Sequence, residues 1–358
     1  MYFGQSIKLA RESRGLSQTK LANSLNINQA TLSRFEKGQM IITESIVKTL
    51  SEVLDYPVTF FEKDFKNLGE TTLFYRKRAS MTIKDLSILE SKISILSNSI
   101  DELIESVEIP ILDIPAIEPC KQNTPEDIAY KIRNYFNMPQ GPVENIVSLI
   151  ESKGVIVFFI NADNMDKFDG LTLFTNNQVP VIWINNIMPN DRKRFSLAHE
   201  LGHLVMHLRS NDISKSENDK ENEANAFASE FLMPRIPCKQ DFFNLKYKDL
   251  GLQKMYWKVS KAAIIFRAEK LCCISHETAK YLYITLGRNG ERKKEEIDVD
   301  IDSPQIVKKM INLHINDLLY SMEDLSDILS INQKEIRTTL LGEQPEFKLK
   351  AKIIPLRL

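Results

Sequence analysis

The sequence predicts a mainly α-helical chain with a small β-sheet. It reads as an N-terminal all-α domain, an α+β centre and a helical tail. Three observations carry this. Residues 1 to about 66 are short helical stretches joined by tight turns. Three short apolar runs, 155–160, 171–174 and 179–185, have the length and the β-branched and aromatic content of strands. Most of the remaining chain repeats its apolar residues at three- and four-residue steps. At about 100–200 residues per domain, 358 residues suggest two or three domains. The expected boundaries are 1–66 for the N-terminal domain, 67–120 for a helical connector, 121–290 for the α+β domain and 291–358 for a helical C-terminal region.

Composition narrows the function classes. With 43% hydrophobic and 27% charged residues the chain has ordinary globular composition. It has 47 basic and 48 acidic residues, which excludes a uniformly basic nucleic-acid coat but not a locally basic domain. The longest apolar runs, such as Val155–Ile160, are far too short to span a bilayer, so no membrane partner is expected. The N-terminus lacks an apolar signal core. Cys120, Cys238, Cys272 and Cys273 are scattered without a CxxC, which points to a reducing, cytoplasmic setting.

Residues 1–50 hold seven basic and three acidic residues, a local charge of +4. Ile7, Leu9 and Ala10 form the packing side of a first helix, and Gly15 allows a turn. Ser17 can cap a second helix from Gln18 to Leu25. Asn28 can cap a third that ends near Lys37, before Gly38. Two short helices joined by a three- to four-residue turn make a helix-turn-helix, whose last helix would enter the major groove of double-stranded DNA. Gln29, Thr31, Ser33 and Arg34 are the candidates to face bases or phosphates, because Ala30, Leu32 and Phe35 suit packing better. Gln18, at a helix start, could grip a phosphate. LSQTKLA and ATLSRFEKG within residues 5–62 resemble the XRE/Cro-repressor family, which implies DNA binding.

From Phe74 to Glu108 a helical pattern dominates, with Ile83, Leu86, Leu89, Ile93, Leu96, Ile100, Leu103 and Ile104 as its apolar side. It suits a connecting helix or a dimerising one, so a homodimer is a further expectation. Pro110, Pro115 and Pro119 end it. Helical spacing resumes at Ile128, Ile132, Tyr135 and Phe136. The three strands follow, with Asn176, Asn177 and Gln178 as a turn. Asp191 is the expected N-cap of a helix over 192–208, and another helix fits Asp219–Leu232, ended by Pro234. Arg76, Lys77 and Arg78 read as a solvated start to the connector. ERKKEEIDVDID (291–302) reads as a surface loop. Residues 321–342 again show helix-turn-helix-like spacing but few basic residues, so they are expected to pack against the catalytic-looking centre or a partner. No repeat at a fixed period is visible.

SLAHELGHLVMH places His199, Glu200 and His203 in an HExxH arrangement. Residues four apart share one face of a helix, so both imidazoles can reach one metal ion. They supply two of the four tetrahedral positions of zinc. Glu200 can stand beside the metal without binding it, as general base. A third ligand is needed. The metzincin position, 209, is arginine, and three histidines on successive turns diverge, which disfavours His207. ENEANAFASEFLMP offers Glu221, Glu223 and Glu230, in the manner of gluzincins. Glu223 is the preferred third ligand and Glu221 its rival. Ala224, Ala226 and Ala228 permit close helix contact, as does Gly202. Tyr256 and His276 are candidates to stabilise an oxyanion, although nothing in the sequence places them near the metal.

RKRFSLAHELGHLVMH followed by ENEANAFASEFLMP resembles the ImmA/IrrE family of zinc metallopeptidases, over roughly Thr124–Leu286. The resemblance implies a zincin-like domain and an intracellular zinc-dependent endopeptidase, with His199, His203 and Glu223 as ligands and Glu200 as the catalytic glutamate. It also implies a protein substrate, a helix-turn-helix repressor or another regulatory protein, including the chain itself. The alternative is a DNA-binding transcriptional regulator whose metal site is structural or sensory. Glu200 separates the two, because a purely structural zinc site has no use for a carboxylate beside an open position.

Overall fold

Four helices open the chain: α1 (Gly4–Ser13), α2 (Gln18–Ser24), α3 (Gln29–Glu36) and α4 (Glu44–Leu54). The computed structural model describes residues 1–65, 81–162, 165, 167–209, 215–292 and 294–343. The cluster Arg76, Lys77 and Arg78, and the expected boundary after residue 66, lie outside the described residues. Ser17 caps α2 by accepting from the Lys20 amide (3.2 Å), and Asn28 caps α3 by accepting from Thr31 (2.7 Å). Leu21, Leu32, Phe35, Val47 and Leu50 close a small core. Ala30, expected to pack, is instead exposed.

The fold divides into two units. One holds Met1–Arg11, Ser17–Asp64 and the chain from Val307, and the other Glu12–Leu16 and Phe65–Ile306. The last helices, α14 (Ile306–Asn316), α15 (Met322–Leu329) and α16 (Gln333–Glu335, continued by a π turn over Ile336–Leu340), therefore group with the N-terminal helices. This corrects the expectation that 321–342 pack against the centre or a partner. The sequence hides it because the contact joins residues some 270 apart: the Asn332 amide donates to the Asp55 carbonyl and carboxylate (2.7 and 2.6 Å).

In the second unit, α5 (Ile83–Ile104) buries Leu86, Leu89, Ile93, Leu96, Ile100 and Leu103. Asp101 near its end is buried and accepts from the Asn176 and Asn177 amides (3.0 and 3.2 Å). The expected connector helix is thereby fixed to the expected turn. Helices α6 (Pro125–Tyr135) and α7 (Ile146–Glu151) lead into a sheet of order β1-β3-β2, with β1 (Ile156–Ile160), β2 (Gly170–Phe174) and β3 (Pro180–Asn185). β1 runs parallel to β3, and β2 is an antiparallel edge strand. Side chains from α6, α7, the sheet and the following helices form one core, including Ile132, Val147, Val157, Ile182 and Leu201.

Helix α8 (Asn190–Met206) starts earlier than expected, with Pro189 at its N-cap. Asp191 is not the cap; it lies in the first turn, buried, and binds Lys254 (2.6 Å). Helix α9 (Glu217–Leu232) is capped by Ser216 and packs along α8. Then come α10 (Arg235–Asp241), α11 (Leu250–Trp257), α12 (Lys261–Lys270) and α13 (His276–Arg288). Among the described residues, the acidic stretch from Glu291 has neither helix nor strand and exposes Glu296, Asp298 and Asp300, as a surface loop does, but it is anchored at three points that the sequence does not reveal. Glu291 pairs with buried Lys261, Glu295 with Lys254 (2.7 Å), and Asp302 accepts from the Val147 and Ser148 amides at the start of α7 (3.0 and 2.6 Å). Among the described residues no helix is long and apolar enough to cross a membrane.

The α8–α9 contact has no slack. A Cβ at Gly202 would stand 3.0 Å from the ring of fully buried Phe227. Gly202→Val is therefore expected to cost about 1–3 kcal/mol of stability through overpacking. Chemical denaturation followed by circular dichroism checks this, and an unchanged midpoint would show that α9 can move away.

Candidate functional site

Helix α8 lies against the sheet and presents His199, Glu200 and His203 at its buried end. His203 is 1% exposed and Glu200 5%. The two histidine Nε2 atoms are 3.0 Å apart. Glu221, on the facing helix α9, brings Oε2 to 3.4 Å from His199 Nε2 and Oε1 to 3.3 Å from His203 Nε2. Among the described residues these three form a group whose donor atoms all lie within 4.8 Å of one another. Ligands about 2.0–2.1 Å from a tetrahedral zinc stand roughly 3.3–3.4 Å apart, so the donor set fits such an ion in type and spacing.

Glu223, the third ligand preferred from the sequence, is not in this group. Its Oε2 accepts from His207 Nε2 (2.9 Å) and its Oε1 from Lys215 (2.6 Å). The reason is helical phase: two residues turn the helix by about 200°, so Glu221 and Glu223 cannot face the same point. His207 in turn meets His203, Nδ1 to Nδ1, at 2.9 Å. Because Glu223 takes the His207 Nε2 proton, His207 Nδ1 accepts from His203 Nδ1–H, and a lone pair is left on His203 Nε2. Asn225 does the same for His199: its Oδ1 accepts from His199 Nδ1 (3.0 Å). Such outer partners set the tautomer and orientation of metal-binding imidazoles.

Electrostatics follow the geometry. Burial opposes the charge on Glu221, but its bonds to His199 and His203 prevail and hold the carboxyl well below its usual range. Burial likewise opposes the imidazolium of His199, yet Glu221 and Glu200 outweigh it and raise the group. His207, buried and beside His203, is pushed down to about 4 and stays neutral despite Glu223. The arrangement favours one positive charge between the imidazoles and the carboxylate.

Glu200, about 100° round α8 from His199, turns toward the sheet. Its Oε2 accepts from the hydroxyl of Thr172 on β2 (2.8 Å), a fully buried side chain. Gly170, two residues earlier, leaves room there: a Cβ would stand 3.4 Å from Glu200 Cγ. Thr172 and Asn225 were not singled out from the sequence. The one available signal for Thr172 was a polar residue between Leu171 and Leu173 in an otherwise apolar strand. A cleft of about 1930 Å³ has Asn222 and Asn225 of α9 among its walls, with Phe195, Lys254 and Glu295, but neither Glu200 nor any of the three donors lines it. The two oxyanion candidates are exposed and have other partners: His276 pairs with Glu269 (2.7 Å), and Tyr256 packs edge-on to Trp257.

In the N-terminal unit, Gln18 and Gln29 come together. The Gln29 amide donates to Gln18 Oε1 (2.6 Å), and the Gln18 amide to Glu36 Oε2 (2.7 Å). Arg11 holds Glu36 from the buried side (2.5 Å). Gln29 and Arg34 are exposed and Ser33 is half-buried on α3. Thr31 is half-buried, with its hydroxyl on Asn28 (2.9 Å).

If Glu221 and not Glu223 completes the donor set, His199→Ala and Glu221→Gln should lose bound zinc. Glu223→Gln should keep it with roughly ten- to a hundredfold weaker affinity, the usual effect of removing an outer partner. Chelator competition with elemental analysis decides this. Undiminished zinc in Glu221→Gln with loss in Glu223→Gln would reverse the assignment.

Residues 150–269 match the family described as the IrrE N-terminal-like domain, and residues 7–61 match the helix-turn-helix family. Two proteins described as uncharacterized HTH-type transcriptional regulators, from Sinorhizobium medicae and Rhizobium meliloti, are each 36% identical to this chain over 72 residues. That stretch is 20% of this chain and 52% of theirs, so the chain spans about half the length of the curated relatives it matches. The chain thus joins an N-terminal helix-turn-helix domain of the XRE type to an ImmA/IrrE-like domain of the metallopeptidase type.

Proposed function

We propose that the protein is a zinc-dependent endopeptidase fused to a DNA-binding domain, and that it regulates transcription by cleaving a repressor or another regulatory protein. The observation that carries the enzymatic half is the pairing of a three-donor centre with a buried carboxylate that is not a donor. His199, His203 and Glu221 would hold the ion. When bound, zinc supplies Lewis-acid polarisation of the scissile carbonyl and acidifies water. Glu200 supplies the base: with Oε2 tied to Thr172, Oε1 is left to take the proton of the attacking water and deliver it to the leaving nitrogen. Burial excludes bulk water around it.

Glu200 also weighs against a purely structural or sensory site, where a buried carboxylate beside the donors would only add desolvation cost. Glu200→Gln is expected to keep zinc and fold while cleavage of candidate repressors falls by about a hundred- to ten-thousandfold. Wild-type cleavage by the zinc-loaded variant would remove Glu200 from the role of base. Absence of cleavage by the wild-type protein would leave the regulatory reading alone.

The DNA-binding half rests on the positive charge of the first 50 residues and on the linked pair Gln18 and Gln29 at the outer edge of α2 and α3. Binding to duplex DNA should fall steeply with salt, because lysines and arginines on phosphates release counterions. Arg34→Ala should weaken it by about tenfold or more, a loss of at least one charge-assisted contact. A mobility shift unaffected by salt, or by that substitution, would count against α3 as the reading helix.

A further inference from the structure

We infer that residues 306–342 are a second helix-turn-helix, a diverged copy of the first, which has given up reading DNA and serves as the intramolecular partner of the first. The copies correspond at their caps, their turns and several buried positions, although the third helix is α throughout in the first (Gln29–Glu36) and continues as a π turn after Glu335 in the second, and buried Phe35 is matched by half-buried Thr339. Ser17 and Ser321 are both N-caps in extended conformation, and each accepts from the amide three residues on, Lys20 and Asp324. Asn28 and Asn332 are both N-caps of the third helix. Three left-handed positions coincide as well: Gly15 with Leu319 (φ 65° and 58°), Asn26 with Ser330 (54° and 56°) and Gly38 with Gly342 (66° and 69°). Ile7 and Ile311, Leu21 and Leu325, and Leu32 and Ile336 are buried in register. A tight turn needs φ above zero at fixed places, so coincidence at three of them is evidence of one backbone plan.

The polar network does not correspond. Arg11, Gln18 and Glu36, which hold Gln29 at the surface, are replaced together by Ile315, Met322 and Leu340. Over the matched 22-residue stretches the charge changes sign. Residues 17–38 hold three basic and one acidic residue, whereas 321–342 hold two basic and four acidic. Glu323, Asp324 and Asp327 are exposed on α15, and the first two stand where α2 has Thr19 and Lys20. That face would repel phosphate.

The reading end is also occupied. The first residues of a recognition helix are those that meet base edges. In the second copy the Asn332 amide at that end is bound to Asp55, which caps α4, and Lys63 binds the Ile328 carbonyl. The second copy therefore faces its reading end into the first, and each chain reads DNA through one motif. A two-half-site operator then requires two chains.

Melting and binding to duplex fragments from the chain's own upstream region, both on the full-length protein, test this. The binding arm rests on the DNA-binding reading above; the melting arm does not. Leu319 is 81% exposed, so Leu319→Gly loses little packing and relieves a left-handed leucine. The melting temperature should rise by about 2–5 °C, and a fall would overturn the equivalence of the turns. Asn332→Ala should lower it, and an unchanged value would overturn the docking. Lys334→Ala with Arg337→Ala should leave DNA affinity and its salt slope within about twofold, while Arg34→Ala loses about tenfold. A loss in the double variant equal to that in Arg34→Ala would overturn the assignment of reading to the first copy alone. If the wild-type protein binds no duplex, the DNA-binding reading fails, and the melting results still decide whether the second motif exists.

Discussion

Where Gly202 lets the ring of Phe227 lie against α8, two helices come close enough for a carboxylate on one to reach imidazoles on the other. The donor set depends on this approach. Two histidines four apart on one helix give a pair of donors but no third direction. The third must come from a separate element, held at a distance that side-chain flexibility alone cannot correct. The buried stretch Ala224, Phe227, Ala228 and Phe231 fixes the rotation of α9, and that rotation selects Glu221. A change that pushed α9 outward would affect the site before it unfolded the domain, because the donor atoms have only tenths of an ångström to give.

Around this centre lies a layer that touches no ion but decides how the donors present themselves. His207, Glu223 and Lys215 run outward from His203 as one hydrogen-bonded chain, and Asn225 serves His199. With His207 kept neutral, the chain is a relay of fixed direction rather than a second cation beside the first. Glu200 has its own support from the sheet, through Thr172 on the edge strand. The helix therefore separates two tasks by face, with donors toward α9 and the base toward β2.

Much of this was legible in the sequence, and the rest had physical reasons not to be. HExxH fixes its own geometry, since four residues make about one turn whatever the fold. The strands were legible because buried β-branched and aromatic runs have few other homes. The choice between Glu221 and Glu223 was not. It turns on the rotation of α9, and the alanines that permit close contact were read without the phase they impose. The phase was nonetheless present, because Asn225 lies one turn from Glu221 on the same face. Asp191 was misplaced for a different reason: the helix starts at Asn190 with no side-chain cap, and Lys254, the partner that buries Asp191, lies 63 residues away. The acidic stretch after Glu291 reads as a surface loop and largely is one, but Glu291 and Glu295 are tied down by buried lysines that the local sequence does not show.

The two helix-turn-helix copies show which parts of such a motif specify its fold and which its function. Caps, left-handed turns and most apolar positions are retained at both ends of the chain, and seven of the 22 matched residues are identical. These positions determine where each helix starts and stops and which side it buries, and they tolerate changes of charge. The polar positions are interdependent. Removing Arg11 from the first copy would leave Glu36 as a buried carboxylate without its cation, which is costly unless Glu36 becomes apolar too. Ile315 and Leu340 in the second copy are that joint replacement. Once both are apolar, nothing holds a residue at the position of Gln18 toward the surface, and methionine there is no loss. The fold survives because its determinants are local and independent, whereas the reading surface disappears as a unit because its members are coupled.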